Sequence, residues 1–299
     1  MAASPDGACD GVIALRSVAA LARDYDGFIL DQWGVLHDGT TPYPGAIDCL
    51  ERLRGAGKHV VILSNSGRTG SFNVGMMARM GFEARHFDRV ISAGDNAREA
   101  IERRTHAFHA RLGRRYFAFT RDDDVSLFDG LNLLRASRVE DADFLAVIGI
   151  EAPRLTLAEY EPFLAAGAAR KLPMVCANPD VTRPSPDGLV DAPGALARRY
   201  EARGGEVFYH GKPYPAIYES CLEALSGCAR ERIVAVGDSL EHDILGASRA
   251  GVRSAFLAGG IHLGEMGAAW GQLPDAGAWG NFLRDAPARP DYVLPAFAW

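Results

Sequence analysis

Asp31 follows the short apolar run Phe28-Ile29-Leu30 and is followed by Gln32-Trp33-Gly34-Val35-Leu36. An apolar run of that length reads as a buried strand. A carboxylate at the C-terminal tip of such a strand stands where open α/β sheets bind ligands. A second element of this kind lies far down the chain, Ile233-Val234-Ala235-Val236-Gly237-Asp238-Ser239, with Asp243 five residues after Asp238. Between the two, Ser64 ends the run Val60 to Leu63, and Lys212 sits in His210-Gly211-Lys212-Pro213. Placed at one sheet edge, these groups suit phosphoryl transfer through a covalent intermediate. Asp31 would be the nucleophile, as in aspartyl-phosphate enzymes. A carboxylate attacks an anion only when charge is neutralised, which Mg²⁺ does through oxygen ligands. Asp31, Asp238 and the Trp33 backbone carbonyl would ligate it, and Asp243 would orient a water on the ion or Ser239. Ser64 would donate to a phosphoryl oxygen, helped by the Asn65 backbone N–H. Lys212 would be a compact positive charge beside nucleophile and phosphoryl group.

Each element also has a plain reading. Ser64-Asn65-Ser66-Gly67 suits a polar turn, Lys212 an exposed lysine, and Asp243 a carboxylate favoured by a helix N-terminus. Their joint occurrence, in this order and on strand tips, favours the chemical reading.

The elements that must position these residues alternate along the whole chain. Strand-like runs fall at Phe28 to Leu30, Val60 to Leu63, Arg89 to Ser92, Tyr116 to Thr120, Phe144 to Ile148, Met174 to Ala177 and Ile233 to Val236. Helical spacing covers Val12 to Arg23, Ala46 to Ala56, Asn96 to Arg104, Thr156 to Arg170, Pro193 to Gly204 and Ala216 to Leu225. Such alternation predicts an α/β fold with a mainly parallel sheet. The Met76, Met77 and Met80 cluster is expected to be core packing. From Gly259-Gly260 to Trp299 the chain is rich in Gly and Trp, with weak periodicity.

Length and composition set the limits. At 299 residues the chain predicts two domains, and 48% apolar residues predict a folded protein. A net charge of -6 without a basic cluster speaks against nucleic acid as a partner. The five cysteines form no metal-ligand or disulfide pattern. No run approaches the roughly 18 apolar residues of a membrane span, and the N-terminal MAASPDGACDG has no secretory-leader pattern. A soluble cytoplasmic protein is the expectation. The Trp-rich tail leaves a homo-oligomer open.

The words DQWGVL, ILSNS, GKP and VGDSLEHDILGA resemble, in order, the four motifs of the haloacid dehalogenase-like hydrolase superfamily. ANPD, HGKP and GDSLEHDILGA are most similar to its subclass IIA, the sugar- and nitrophenyl-phosphatase-like proteins. The resemblance implies a Rossmann-like core formed by residues 1–87 and 208–299 and an inserted α/β type II cap over 88–207. It also implies Mg²⁺ and hydrolysis of monoesters of small phosphorylated metabolites. By the same analogy the cap sets selectivity, with Asn178, Asp180 and Arg183 touching the leaving group and Arg183 pairing with a second anion. A structural turn at Asn178-Pro179-Asp180 is the alternative there. Arg68, after the Ser64 turn, reads as a phosphate contact or a surface residue, with preference for the surface.

One position departs from the family pattern. Its phosphatases carry a second Asp two residues after the nucleophile, which protonates the leaving group; here that residue is Trp33. Indole has no group that titrates near neutral pH, and general acid–base help contributes about 10² to 10⁴ in rate. Slow turnover is the expectation, with His37, two residues past Val35, as a substitute acid/base. A non-catalytic phosphate-ligand binder is the alternative from another class. Dehalogenation fits less well, because it would not need the Asp238 and Asp243 pair.

Overall fold

The computed structural model describes residues 8, 9, 11–185 and 188–299. In chain order the elements begin with β1 (Ala8–Cys9), β2 (Val12–Ala14), α1 (Val18–Asp24), β3 (Gly27–Asp31), α2 (Ala46–Gly55), β4 (His59–Ser64), α3 (Gly70–Arg79) and β5 (Arg89–Ser92). There follow α4 (Ala93–Arg103), α5 (Ala107–Ala110), β6 (Arg115–Phe119), β7 (Leu134–Arg135), β8 (Phe144–Val147), α6 (Glu161–Ala169), β9 (Met174–Cys176), β10 (Thr182–Ser185), β11 (Gly188–Asp191), α7 (Pro193–Ala202) and β12 (Val207–Tyr209). The chain closes with α8 (Pro215–Ala224), β13 (Ile233–Gly237), a π-helical turn (Leu240–Ile244), α9 (Leu245–Arg249), β14 (Arg253–Leu257), α10 (Ala276–Phe282) and β15 (Tyr292–Leu294). The N-terminal segment read for a secretory leader lies largely outside the described residues.

These elements form two compact units. The first comprises Met1–Ser64, Val74–Ile91 and Lys212–Trp299, the second Asn65–Asn73 and Ser92–Gly211. The first unit holds an eight-stranded sheet in the order β1-β2-β15-β14-β13-β3-β4-β5. From β2 through β4 every adjacent pair is parallel. Side chains alternate across the sheet. Phe28, Leu30, Val60, Ile62, Val234 and Val236 share one core with Leu21, Leu50 and Leu53 of α1 and α2. Val12, Phe256 and Val293 join Leu240, Ile244, Trp279 and Leu283 in another. Met77 is buried in the first of these cores and Met80 packs against it.

The second unit has a five-stranded parallel sheet, β12-β9-β8-β6-β7, and an antiparallel β10–β11 hairpin. Leu145 and Val147 of β8 pack in one cluster, Phe144 and Ala146 in another. The Ser92 hydroxyl caps α4 by accepting from Asp95 N–H at 2.9 Å. A buried chain of hydrogen bonds ties α4 and α5 to the end of β12. His210 Nδ1 meets Asn96 Oδ1 at 2.7 Å, and His210 Nε2 meets His109 Nε2 at 3.1 Å. Since the Asn96 carbonyl oxygen only accepts, His210 donates from Nδ1 and accepts from His109 at Nε2.

Burial holds both rings neutral, pushing His109 down to about 4 and His210 down to about 3. An unfolded histidine titrates near 6.5, so between those values the unfolded chain binds more protons. Stability is therefore expected to rise from about pH 4 to about pH 6.5 and then level off. Urea midpoints at pH 5 and pH 7 test this; the gap between them should shrink in His109→Phe.

Two sequence expectations are corrected. Val12 to Arg23 is not one helix: Val12–Ala14 is a strand, because it pairs in parallel with the C-terminal β15, and the helix begins at Val18. The helix expected from Thr156 opens as a 3-10 turn over Leu157–Tyr160, and α6 starts only at Glu161, with a proline in its first turn. The weakly periodic tail contains β15 and α10, elements too short to show a period. Asn65–Asn73 groups with the second unit rather than with the residues before Ser64. Backbone contacts hold it there: Gly94 N–H donates to Ser66 O at 3.0 Å and Gly70 N–H to Asp95 Oδ2 at 2.7 Å.

Candidate active site

Strands β13, β3 and β4 are adjacent and parallel, so their C-terminal tips come together. They carry Asp238, which follows Gly237, then Asp31, and then Ser64, which is buried. Asp243 lies in the π-helical turn after β13, and Lys212 enters from the residues before α8. Lys212 Nζ donates to Asp31 Oδ1 at 2.5 Å and to Asp243 Oδ1 at 2.8 Å. Asp31 Oδ1 also accepts from Gln32 N–H at 2.7 Å. Asp243 Oδ2 accepts from Ser239 N–H at 3.2 Å. The ammonium and the Asp238 and Asp243 carboxylates are buried.

Charge in this cluster is unbalanced. Burial and the neighbouring Asp243 push the Asp31 carboxyl up to about 7, against the pull of Lys212. Burial, then Asp31 and Asp243, push Asp238 well above the usual carboxylate range. For Lys212 burial acts downward, but Asp243 and Asp31 outweigh it and keep the ammonium charged. Three carboxylates thus meet one ammonium. Donor oxygens of Asp31, Asp238 and Asp243 lie within 4.8 Å of one another. Buried hard oxygen donors whose joint ionisation a single ammonium cannot balance suit a divalent cation.

Two groups that sequence reasoning missed also shape the cluster. Ile261 N–H donates to Asp238 Oδ2 at 2.7 Å; the Gly259-Gly260 turn after a strand was the available signal. Tyr218, buried on α8, donates its hydroxyl to Asp243 O at 3.0 Å. Nothing in the helical spacing of α8 marked it out.

The segment after Asp31 is a tight flap. Leu36 N–H donates to Gln32 O and Gly34 N–H to His37 O, each at 3.0 Å, and Tyr43 N–H donates to Leu36 O at 2.9 Å. Gly34 has φ +82° and lies so close to Asp238 that a Cβ would overlap its carboxylate. The Asp38 carboxylate accepts from the backbone N–H and the hydroxyl of both Thr40 and Thr41, which holds it well below the usual carboxylate range.

His37 is positioned differently from the acid/base expected of it. It is buried, and Gly39 N–H donates to its Nδ1 at 2.9 Å. The ring proton therefore sits on Nε2, 3.1 Å from the Gln32 side-chain amide nitrogen; two donors cannot bond, so the Gln32 amide must turn its otherwise unpartnered Oε1 toward that proton. Burial pushes the ring down to about 4. With both nitrogens engaged, His37 pins the flap and offers no open position for proton exchange. Trp33 lies edge-to-face with it at 5.7 Å between centroids and is 45% exposed.

In the second unit the structure gathers Asn65, Asn178 and Asp180. Asn65 Nδ2 donates to Asp180 Oδ1 at 2.7 Å, and Asp180 N–H donates to Asn178 Oδ1 at 3.0 Å, an Asx turn. Arg183, on β10, donates from Nη2 to Ala152 O at 2.6 Å. Arg68 pairs with Asp124 and lies over the Phe72 ring, 4.7 Å from its centroid.

Fold and site define a hydrolase with a Rossmann-like sheet and an acidic, lysine-bridged centre at its strand tips. Residues 28–133 match the family described as haloacid dehalogenase-like hydrolase, and residues 209–298 match a second described as HAD-hydrolase-like. The chain is 30% identical to chronophin of Bos taurus, over 83% of this chain and 85% of that protein. It is 38% identical to a dihydroxyacetone phosphatase of Corynebacterium glutamicum, over 32% of this chain and 34% of that protein, so that match spans about a third of the relative. Among solved structures, a haloacid dehalogenase-like hydrolase from Brucella suis 1330 superposes with a TM-score of 0.79 at 29% identity, covering 94% of this chain and 99% of that one. Glycerol phosphate phosphatase of Mycobacterium tuberculosis in complex with magnesium has a TM-score of 0.68 at 22% identity, covering 91% and 75%. The chain belongs to the haloacid dehalogenase-like hydrolases, as a phosphatase-like member of subclass IIA. Among the described residues no helix is long and apolar enough to cross a membrane.

Proposed function

We propose that the chain hydrolyses monoesters of small phosphorylated metabolites, with magnesium at the carboxylate cluster and a transient phosphoryl group on Asp31. The observation that carries this reading is the buried set of Asp31, Asp238 and Asp243 bridged by Lys212. Relatives named as phosphatases and the magnesium complex of the M. tuberculosis protein support it. Asp31, Asp238, the Trp33 carbonyl and Asp243, directly or through water, are the groups to hold the ion. When bound, magnesium neutralises charge so that a carboxylate can approach an anionic phosphoryl group.

Both hydrogen bonds to the Asp31 carboxylate fall on Oδ1, which leaves Oδ2 as the attacking oxygen. The Oδ2–P bond forms as the P–O bond to the leaving group breaks, and the leaving group departs with the electron pair. Water then attacks phosphorus and the Oδ2–P bond breaks, returning its pair to Asp31. Inorganic phosphate leaves, and the proton released by water balances the leaving-group anion. Ser64 and the Asn65 N–H hold phosphoryl oxygens, and Lys212 holds Asp31 in place. The second unit acts as a cap, and Asn65, Asn178, Asp180 and Arg183 select the organic part of the substrate. Turnover is slow, because Trp33 carries no exchangeable acid and His37 is engaged.

The test is turnover of p-nitrophenyl phosphate with and without Mg²⁺, in wild type and Asp31→Asn. Loss of the nucleophile is expected to lower turnover by at least about 10⁴-fold, and chelation to abolish it. Undiminished turnover in Asp31→Asn would sink the covalent mechanism. Phosphate binding without turnover would make the chain a phosphate-ligand binder instead.

A further inference from the structure

Trp33 is an unusual residue to hold rigidly and yet leave in solvent. Its indole is 45% exposed, while most large apolar side chains of the same unit are buried. It is nevertheless fixed. Gly39, at φ +98°, lies under the ring, where any Cβ would fall among indole carbons Cζ2, Cη2 and Cζ3. The His37 ring meets it edge-to-face at 5.7 Å and leans on Phe82 at 6.1 Å. His37 is itself held at both nitrogens, by Gly39 and Gln32. Residues 32, 37 and 39 thus specify where an indole sits without covering it. The platform they build lies two residues beyond Asp31, on the flap that opens at the nucleophile's strand tip.

We propose that Trp33 is a stacking platform for the leaving group, selecting phosphate esters whose leaving groups are planar and weakly basic, the aryl phosphate class. This rests on the hydrolytic reading above. Two independent properties of the flap converge on that class. A fixed, exposed π-face favours a flat partner in an offset stack. The flap also supplies no proton to the departing oxygen. Trp33 has no group that titrates near neutral pH, His37 is engaged at both nitrogens, and the Asp38 carboxylate is an acceptor in four hydrogen bonds. When the P–O bond breaks, the leaving group keeps the pair as a free anion. A phenolate tolerates this and an alkoxide does not.

The test compares kcat/KM for phenyl phosphate and glycerol phosphate in wild type, Trp33→Ala, Trp33→Phe and Gly39→Ala. It is joined by calorimetric binding of phenylphosphonate and methylphosphonate, which reads the platform without turnover. The aryl-over-alkyl ratio is expected to fall about tenfold in Trp33→Ala, to recover partly in Trp33→Phe, and to fall in Gly39→Ala. Because both esters meet the same variant, the ratio cancels general damage to the fold. Phenylphosphonate binding should weaken by a similar factor relative to methylphosphonate. Unchanged ratios in Trp33→Ala, with both esters hydrolysed, would overturn the platform and leave the hydrolase standing. If wild type binds both phosphonates and cleaves neither ester, the hydrolytic reading falls and leaving-group selection falls with it.

Discussion

Lys212→Met is expected to lower p-nitrophenyl phosphate turnover by about 10³-fold or more, and to destabilise the protein most at alkaline pH. Removing one preorganised charged donor from a dry site costs about 10² to 10³ in rate, and Lys212 serves two carboxylates at once, at 2.5 and 2.8 Å. Breaking a buried ion pair by deleting one partner costs about 3–5 kcal/mol when the other charge stays buried. Here a proton can take the place of the ammonium, because the Asp31 carboxyl is already pushed up to about 7. An acid with a raised folded-state pKa binds more protons folded than unfolded across that window, so its stability contribution declines as pH rises through it. The variant should therefore be closer to wild type at pH 6 than at pH 8. Urea midpoints at both values, with turnover measured alongside, check both parts. Wild-type turnover in the variant would remove Lys212 from the mechanism.

Trp33→Asp should raise turnover of an alkyl phosphate by about 10²-fold, the lower range of what a general acid contributes. Esters with good leaving groups should gain far less, since they need little protonation. The substitution also gives up the contact with His37 and Gly39, so the gain should come with weaker binding of aryl ligands. Steady-state rates for glycerol phosphate and p-nitrophenyl phosphate in the two proteins make the comparison. A variant slower on both would show that position 33 does not present a side chain to the departing oxygen.

The sequence was most legible where strand geometry alone fixes a residue's place. Asp31 and Asp238 stood out because each ends a short apolar run, and adjacent parallel strands bring such ends together. Lys212 and Asp243 could be named from their motifs. That they meet each other, at 2.8 Å, depends on a turn after β13 whose geometry no periodicity encodes. His37 shows the opposite limit. Its residue type suited acid–base work, but its role was set by burial and by Gln32 and Gly39, neighbours whose orientation depends on the folded flap. In the fold, β2 was misread because its three residues follow a pairing with β15, nearly the whole chain away. Hairpin β10–β11, strand β7 and the 3-10 turns escaped notice because they are shorter than the window a pattern needs.

The grouping of Asn65–Asn73 with Ser92–Gly211 changes how chimaeras of this family should be cut. Exchanging Ser92–Gly211 alone would leave four native attachments facing foreign partners. These are Asn65 to Asp180, Ser66 to Gly94, Gly70 to Asp95, and Arg68 to Asp124. A graft that carries both segments keeps the four intact and places its outer seams at Ser64 and Lys212. Ser64 and Lys212 would then mark the donor–recipient joins, and the strand that carries Asp31 would stay entirely the recipient's.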